Sequence, residues 1–430
     1  MIYKLRDLLK QLETRFSIKI IFSNFLSLFS LQVVNILLPL ITFPYLVKVL
    51  GIEKFGLLIF AQSFVSYFLI LTEYGFNLSG TRKISLNHGN KFKISNSFNG
   101  ILQAKIFLAL ISTILLLVIV YSVDKLYEER FLYIFSFSIV IGNVMFPTWF
   151  FQGIEKMKQI TFLNFISKAI FTLLILLFVK KPDDYLLVPL IQSFGFLTSG
   201  LIALFIVFNV FKIKFQFVSI NTIFNELIDG FNIFISNLST NIYSASSVVI
   251  LGFVTSDAVV GMYGIAEKLI RIITSMFYPI SQAIYPRTVQ LSNKINKDTA
   301  IDFLKLIYKI VIVLSFTSLI FSLLFSDLFL KFLIDDIELS KKVFITLSPL
   351  LIVIPISIIL FHNTLLPFKL DKYYLKIYLT GAITNLFLLY FLVFVLELGV
   401  MGAAYSLLFC EILVVILAAQ IFYKKILKDN

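Results

Sequence analysis

Residues 261–287 read GMYGIAEKLIRIITSMFYPISQAIYPR, a run long and apolar enough to cross a bilayer once. Three charged residues, Glu267, Lys268 and Arg271, lie well inside this run. On a helix, Glu267 and Arg271 stand one turn apart on the same face. A lysine or arginine near the membrane centre costs about 2.5–3.5 kcal/mol on insertion scales, so it faces a partner or a hydrated cavity. The stretch therefore indicates either an ion pair that joins two helices or a cationic site on a transport pathway.

A second stretch matches the first without a gap, 205 residues earlier in the chain. Residues 56–82 read GLLIFAQSFVSYFLILTEYGFNLSGTR, which is also an apolar run of membrane-spanning length. The residues brought into register include Gly56 with Gly261, Gln62 with Glu267, Ser66 with Arg271, Glu73 with Tyr278 and Arg82 with Arg287. Because the polar side chains of both runs fall on corresponding helical faces, the match indicates an internal duplication. Membrane transporters built from such repeats bind substrate between them.

The composition of the 430-residue chain excludes a soluble protein. Hydrophobic residues make up 59% of it and charged residues only 14%, which is typical of a polytopic membrane protein. The net charge of +13 comes from basic residues at the ends of apolar runs, so it belongs to membrane topology and does not predict nucleic-acid binding. The single cysteine, Cys410, excludes an intrachain disulfide.

Apolar runs of about 20 residues recur roughly twelve times, which predicts an all-α integral membrane protein with about 12 transmembrane helices. An even number of spans places both termini on one side of the membrane. Basic residues are concentrated in the N-terminal lead, the 82–93 loop and the C-terminal end, so both termini are expected in the cytoplasm. The predicted spans are 22–46, 57–77, 101–121, 131–151, 160–180, 185–209, 231–254, 259–285, 304–326, 343–362, 374–396 and 400–422.

The spans divide into two predicted lobes of six helices each. Residues 1–212 form the first lobe, residues 213–230 a cytoplasmic amphipathic linker, and residues 231–430 the second lobe. Because each lobe has an even number of spans, the two should be parallel repeats related by an axis along the membrane normal. Four prolines within spans are expected to kink them: Pro147, Pro279, Pro349 and Pro355.

Polar stripes run along further spans. Their members are Asn24, Gln32 and Asn35 in the first span and Asn237, Thr240, Asn241 and Ser244 in the seventh. Such stripes often only hydrogen-bond neighbouring helices, at about 0.6 kcal/mol for each bond. Because the first two helices of each lobe are all striped, a shared hydrated cavity accounts for them better.

Other basic residues allow two interpretations each. Lys168, in the fifth span, either extends to the aqueous interface or contacts substrate. Lys105 is closer to a predicted cytoplasmic span end, so its ammonium group is expected to reach the interface. Arg82 and Arg287 either capture an anionic headgroup at the cytoplasmic ends of the duplicated helices or merely follow the positive-inside rule.

Residues that would indicate an enzyme are missing from the sequence. His88 and His362 are the only histidines, and they form no metal-ligand spacing with Cys410. No P-loop glycine pattern is present, so ATP hydrolysis by that route is not expected. We therefore expect neither catalysis nor a cofactor.

Four segments together resemble the polysaccharide flippases of the Wzx type, which belong to the MOP exporter superfamily. They cover both predicted lobes, and the span count agrees with that family. The segments are FPTWFFQGIEKMKQIT at 146–161, residues 55–85, residues 262–287, and GAITNLFLLYFLVFVLELGVMGAAYSLLFCE at 381–411.

The resemblance implies a V-shaped bundle of two six-helix lobes around a central cavity. It implies a substrate of undecaprenyl diphosphate carrying an oligosaccharide repeat unit, flipped to the outer leaflet of the bacterial inner membrane for O-antigen, capsule or related polysaccharide assembly. Membrane lipids and the polymerase and chain-length proteins of the same pathway are the implied partners. Arg271 and Lys268 are the best candidates to bind the diphosphate. Further substrate-binding candidates are Arg82, Arg287, Lys168, Asn35, Gln62, Asn237 and Asn241.

Two alternatives stay open beside this interpretation. A MATE-like exporter of organic cations would favour carboxylates in the cavity, whereas here cations accompany them. A membrane oligosaccharide polymerase would need a sizeable outer loop with catalytic residues, and no loop of that size is predicted.

Coupling of transport to a proton or sodium gradient would need a carboxylate in the cavity, and Glu73 and Glu267 are the candidates. Glu267 has Lys268 and Arg271 beside it, which favour its ionised form. Glu73 has no cation on its own helical face, so we expect Glu73 to be the better proton carrier.

Overall fold

We describe the fold from a computed structural model of the chain, which defines residues 18–87, 89–292 and 297–428. Before residue 41 nearly all of that description concerns the backbone alone. Every regular element in these ranges is helical, as the hydrophobic pattern predicts. In the first half of the chain the α-helices are α1 Ile18–Glu73, α2 Phe76–Leu86, α3 Lys91–Ser122, α4 Asp124–Glu128, α5 Arg130–Val144, α6 Thr148–Gly153, α7 Met157–Phe178 and α8 Leu187–Phe205.

The second half begins after an irregular segment, and its first helix starts within the predicted linker. Its α-helices are α9 Ile220–Val254, α10 Asp257–Ser275, α11 Tyr278–Gln290, α12 Lys297–Leu324, α13 Ser326–Leu333, α14 Glu338–Leu347, α15 Leu350–Ile358, α16 Tyr374–Leu389 and α17 Gly399–Phe422. The chain from 212 to 219 has no regular structure. The division into two lobes stays a prediction.

The described residues contain nine helices long and apolar enough to cross a membrane, or ten if the bent pair α14–α15 counts as one span. Helix α10 falls outside this count because Glu267, Lys268 and Arg271 lie close together within it. The first counted segment runs from Ile41 to Leu86, so it joins the part of α1 from Ile41 onward with α2. A multi-pass, all-α membrane protein is therefore confirmed, and the count of twelve spans stays a prediction.

Prolines and one glycine break the long helices. Gly51 has φ +75°, a left-handed conformation that costs glycine little and divides α1 into two limbs. Pro147 separates α5 from α6, and Pro349 stands at the bend of 42° between α14 and α15. Pro279 lies in the first turn of α11, directly after the break from α10. The expected kinks are confirmed at these prolines, whereas Pro355 lies inside α15.

The two duplicated segments pack against each other where they begin. A Cβ atom placed on Gly56 would lie 1.8 Å from the carbonyl oxygen of Asp257 and 2.8 Å from the nitrogen of Gly261. A Cβ on Gly261 would lie 2.4 Å from the carbonyl oxygen of Ile52. Small residues allow such close helix crossings in membranes. The contact brings the polar faces of α1 and α10 together.

A second contact joins the C-terminal part of the first duplicated segment to α9. Tyr74 stacks on Phe234 with ring centroids 4.5 Å apart. The Lys83 ammonium lies 2.9 Å from a Glu226 carboxylate oxygen and 3.1 Å from one of Asp229. These contacts tie the region around α2 to the start of α9, so the space between α1, α9 and α10 is bounded at both ends.

Candidate functional site

Helices α1, α9 and α10 line an open cavity of about 310 Å³, here called the central cavity. Its polar lining consists of Gln62, Ser63, Ser66, Asn241, Ser244, Glu267, Lys268 and Arg271. Both members of two register pairs face it, Gln62 with Glu267 and Ser66 with Arg271. The polar faces that correspond in the sequence register therefore line one cavity.

Arg271 and Glu267 form an ion pair within α10. Arg271 Nε donates to Glu267 Oε1 at 2.7 Å, and Nη2 lies 2.6 Å from the same oxygen. Nη2 also donates to the backbone oxygen of Ser244 on α9 at 3.2 Å. The Glu267 side chain is 9% exposed and that of Arg271 is 42% exposed. The pair thus joins α10 to α9, while part of the guanidinium remains accessible from the cavity.

Lys268 supplies a cation without a paired carboxylate. Its Nζ lies 5.0 Å from the ring centroid of Phe43 and 5.7 Å from that of Phe55, which is cation–π distance. Among the described residues no carboxylate oxygen lies within 4 Å of this ammonium. Of the two predicted diphosphate-binding residues, Lys268 is therefore better placed than Arg271 to bind an anion.

A smaller lateral cavity of about 210 Å³ adjoins the central one and shares Ile59, Gln62 and Lys268 with it. Lys168 lines this lateral cavity together with Gln192, and its described lining contains no acidic residue. Gln62 Nε2 donates to Gln192 Oε1 at 3.3 Å across it. Two ammonium groups thus border one chamber, and the fifth predicted span contributes to the site.

The remaining predicted binding residues are placed differently. Asn241 accepts a hydrogen bond from the Ser66 hydroxyl at 3.2 Å inside the central cavity. Asn237, one turn earlier, is exposed and lines neither cavity. Arg82 is exposed on α2 and Arg287 is half-buried near the end of α11, and neither lines these cavities. The side chain of Asn35 lies outside the described residues.

Glu73 lies outside both cavities, in a polar network between α1, α3 and α5. Asn143 Nδ2 donates to Glu73 Oε1 at 3.1 Å, and Lys105 Nζ donates to the backbone oxygen of Asn143 at 3.2 Å and to its Oδ1 at 3.3 Å. The Lys105 ammonium group is therefore connected to Glu73 through Asn143, although no cation lies on the same helical face as Glu73.

The expectation that Lys105 reaches the aqueous interface is wrong. This residue is only 2% exposed. Helix α3 begins at Lys91, ten residues before the start of the predicted span 101–121, so Lys105 lies several turns inside the helix. The Lys105 ammonium group can be buried because Asn143 provides two hydrogen-bond acceptors for it.

Sequence reasoning missed a third cavity of about 360 Å³, here called the aromatic cavity. It shares Ser244 and Arg271 with the central cavity, and its further lining includes Tyr243, Tyr278, Phe361, His362, Tyr378 and Glu411. Glu411 on α17 is 6% exposed. The available signal was a lone carboxylate inside the apolar run 400–422, which in a membrane span is a candidate functional residue by itself.

Comparisons with known proteins agree with the resemblance predicted from the sequence. The sequence profile of a family described as "Polysaccharide biosynthesis protein" matches residues 21–292. A candidate O-antigen transporter of Escherichia coli strain K12 is 33% identical over 396 residues, covering 91% of this chain and 94% of the relative. A candidate O-antigen transporter of Shigella dysenteriae is 31% identical over 396 residues, covering 91% of this chain and 98% of the relative.

The fold is similar to that of solved transporters. An inward-facing multidrug-resistance MATE transporter of the MOP superfamily superposes with a TM-score of 0.70, covering 90% of this chain and 94% of the transporter at 13% identity. At that identity the likeness concerns the fold alone. Profile, relatives and fold agree: the chain belongs to the polysaccharide biosynthesis protein family and has the fold of the MOP-superfamily transporters.

Proposed function

We propose that this protein is a flippase for lipid-linked oligosaccharides. Its substrate is an oligosaccharide repeat unit on undecaprenyl diphosphate, moved from the cytoplasmic to the outer leaflet of the bacterial inner membrane by alternating access. Both termini lie in the cytoplasm. The family and the two relatives named as O-antigen transporters support a role in polysaccharide export. The proposal depends mainly on the position of Lys268. This residue lines two adjoining cavities between membrane helices, and its ammonium group has no carboxylate partner among the described residues.

The chemistry of the substrate requires such a site. A diphosphate cannot enter hydrocarbon with its charge uncompensated, so the carrier has to supply cations and water along the path. Lys268 offers a compact charge, and Arg271 has a guanidinium that is bonded on its Nε and Nη2 side. Gln62 and Asn241 add neutral polar groups beside them. The prenyl chain stays in lipid, so the protein needs to shelter only the headgroup.

No step of this reaction makes or breaks a covalent bond, and we propose a transporter without catalytic residues. Export of organic cations is the main alternative, because the fold neighbours include multidrug transporters. A cationic substrate would be repelled by Lys268, since the nearby Glu267 is already paired with Arg271 and no described carboxylate oxygen lies within 4 Å of the Lys268 ammonium group. The cavity therefore favours an anionic headgroup.

Coupling to a proton or sodium gradient is part of the proposal. Glu73 and Glu267 are its candidate carboxylates. Glu267 is ion-paired to Arg271, and Glu73 accepts a hydrogen bond from Asn143 with Lys105 beyond. We keep Glu73 as the first choice, because its one hydrogen bond among the described residues is with a neutral amide.

The test is transport in proteoliposomes that hold the purified protein. Undecaprenyl-diphosphate oligosaccharide is placed in the inner leaflet, and its arrival outside is followed by accessibility to a lectin. Wild type should flip this lipid, and Lys268→Ala should lose most of the rate. A protein that takes up ethidium but leaves the lipid-linked oligosaccharide in place would overturn the proposal in favour of cation export.

A further inference from the structure

The aromatic cavity adjoins the proposed diphosphate site but has a different character. Arg271 and Ser244 line both chambers, so a ligand on one side of the guanidinium is directly beside a ligand on the other. The walls of the aromatic cavity come from α9, α10, α11, α15, α16 and α17 and from the π-helical turn Ile359–Leu365. The proposed transport of the lipid headgroup leaves this chamber unused.

Three polar groups point to a ligand in the aromatic cavity. Glu411 and Tyr243 are each 6% exposed, and Tyr378 lies beside them. Neither the Glu411 carboxylate nor the hydroxyls of the two tyrosines has a hydrogen-bond partner among the described residues. Buried polar groups in native proteins are almost always hydrogen-bonded. Their partners therefore have to come from what occupies the cavity.

Three stacked rings form an apolar wall of the cavity. Tyr243 and Tyr378 are nearly parallel, with 8° between their planes and 6.3 Å between their centroids. Phe361 stacks on Tyr378 at 4.9 Å and 21°. Such a wall matches a ligand that has an apolar face as well as polar edges, since aromatic side chains bury large areas and tyrosine adds a polar tip.

The hydroxyl groups of the cavity favour a ligand rich in hydroxyls. Thr240, Thr274 and Ser275 each donate to a backbone oxygen of their own helix, so their lone pairs are left to accept. Glu411 is an acceptor as well. A sugar ring supplies many O–H donors and has a flat face of C–H groups, whereas a quaternary or aromatic cation has no hydroxyl donors to offer.

The charges around the aromatic cavity disfavour a diphosphate and an organic cation as its ligand. Arg271 stands between Glu267 and Glu411, and its guanidinium is already paired with Glu267. A diphosphate in the aromatic cavity would face Glu411 at close range, which is repulsive. An organic cation would face Arg271. A neutral or weakly charged ligand avoids both costs.

We propose that the aromatic cavity is the saccharide subsite of the transporter. It binds the sugar next to the diphosphate, with the sugar's C–H face on the Tyr243–Tyr378–Phe361 wall. Glu411 accepts hydrogen bonds from sugar hydroxyls, and the diphosphate lies on the far side of Arg271 in the central cavity. The subsite rests on the proposed function, because it takes the glycan of the same lipid. Its volume of about 360 Å³ lies within the range of small-molecule sites.

Binding measurements on purified protein with two lipids test the subsite. The lipids are undecaprenyl diphosphate alone and the same lipid carrying the oligosaccharide. Glu411→Gln keeps the shape of the side chain but removes the charged acceptor, and Tyr378→Phe keeps the ring and removes the hydroxyl. We expect Glu411→Gln to weaken binding of the glycosylated lipid by about tenfold to hundredfold, and Tyr378→Phe by about tenfold or less. Binding of the bare diphosphate lipid should stay unchanged in both.

Matched controls separate the possible failures. Tyr390→Phe removes a hydroxyl from an exposed position just after α16 and should change neither affinity. Lys268→Ala should weaken both lipids. Equal weakening of both lipids in Glu411→Gln, or no weakening of either, would overturn the subsite while leaving the flippase proposal standing. Wild-type protein that binds neither lipid would instead contradict the proposed function itself, and ethidium binding lost in Glu411→Gln would assign the cavity to a cation.

Discussion

The ion pair of Arg271 and Glu267 offers a way to separate a structural role of the guanidinium from a role in transport. Arg271→Gln leaves the Glu267 carboxylate, whose side chain is 9% exposed, without its cation. Breaking a fully buried pair costs about 3–5 kcal/mol. Because the Arg271 side chain is 42% exposed, solvent screens part of that loss, and we expect about 1–3 kcal/mol here. The double variant Glu267→Gln with Arg271→Gln removes the uncompensated charge and should recover most of it.

Thermal melts in detergent, read by size-exclusion chromatography, measure this stability difference. A loss of 1 kcal/mol lowers the melting temperature of a medium-sized domain by about 2–4 °C. Arg271→Gln should therefore melt clearly below wild type, and the double variant should melt close to it.

Transport by the same three proteins then tests whether the ion pair serves the fold alone. If the guanidinium contacts the diphosphate, the double variant is stable but does not flip lipid-linked oligosaccharide. Arg271→Lys should keep part of the rate, since the charge survives and the planar fork does not. A double variant that transports like wild type would refute the reasoning, because the ion pair would then serve the fold alone.

Three further predictions concern the membrane topology, the ion pair between α2 and α9, and the coupling of transport to an ion gradient. Cysteine labelling in cells should place residues 213–228 in the cytoplasm and residues 334–340 outside, and labelling of both from one side would contradict the twelve-span prediction. Lys83→Glu should lower the melting temperature by repelling Glu226 across the contact between α2 and α9, and the charge swap with Glu226→Lys should restore part of it, unlike a mutation at an unpaired surface site. Glu73→Gln should reduce the dependence of transport on an imposed proton or sodium gradient in proteoliposomes, and unchanged dependence removes Glu73 from coupling.

Much of the central cavity could be predicted from the sequence, because helical periodicity and the repeat register determine which side chains share a face. Gln62 and Ser66 line one cavity with Glu267 and Arg271, since both runs present their polar faces to it. The close approach follows from glycine at equivalent places in the two runs, and Gly56 is within contact distance of α10. Periodicity and the repeat register together were enough for these residues.

The aromatic cavity could not be predicted in the same way. A sequence pattern gives the face of a helix but not the helix that the face meets, so nothing in the apolar run 400–422 indicated that Glu411 approaches Arg271 from α17. The burial of Lys105 could not be predicted for a related reason. The prediction uses the distance of Lys105 from the end of the predicted span 101–121, whereas α3 begins ten residues before that span.

The central claim is that the positive charge at Lys268 binds the substrate, and chemical restoration of that charge tests it most directly. Lys268→Cys should be stable and inactive in the flipping assay. Reaction with 2-aminoethyl methanethiosulfonate places an ammonium group back at this position and should restore transport, whereas the neutral methyl methanethiosulfonate should not. Wild type is the control, because its single cysteine, Cys410, is buried. Full transport by untreated Lys268→Cys, or equal rescue by both reagents, would contradict the account.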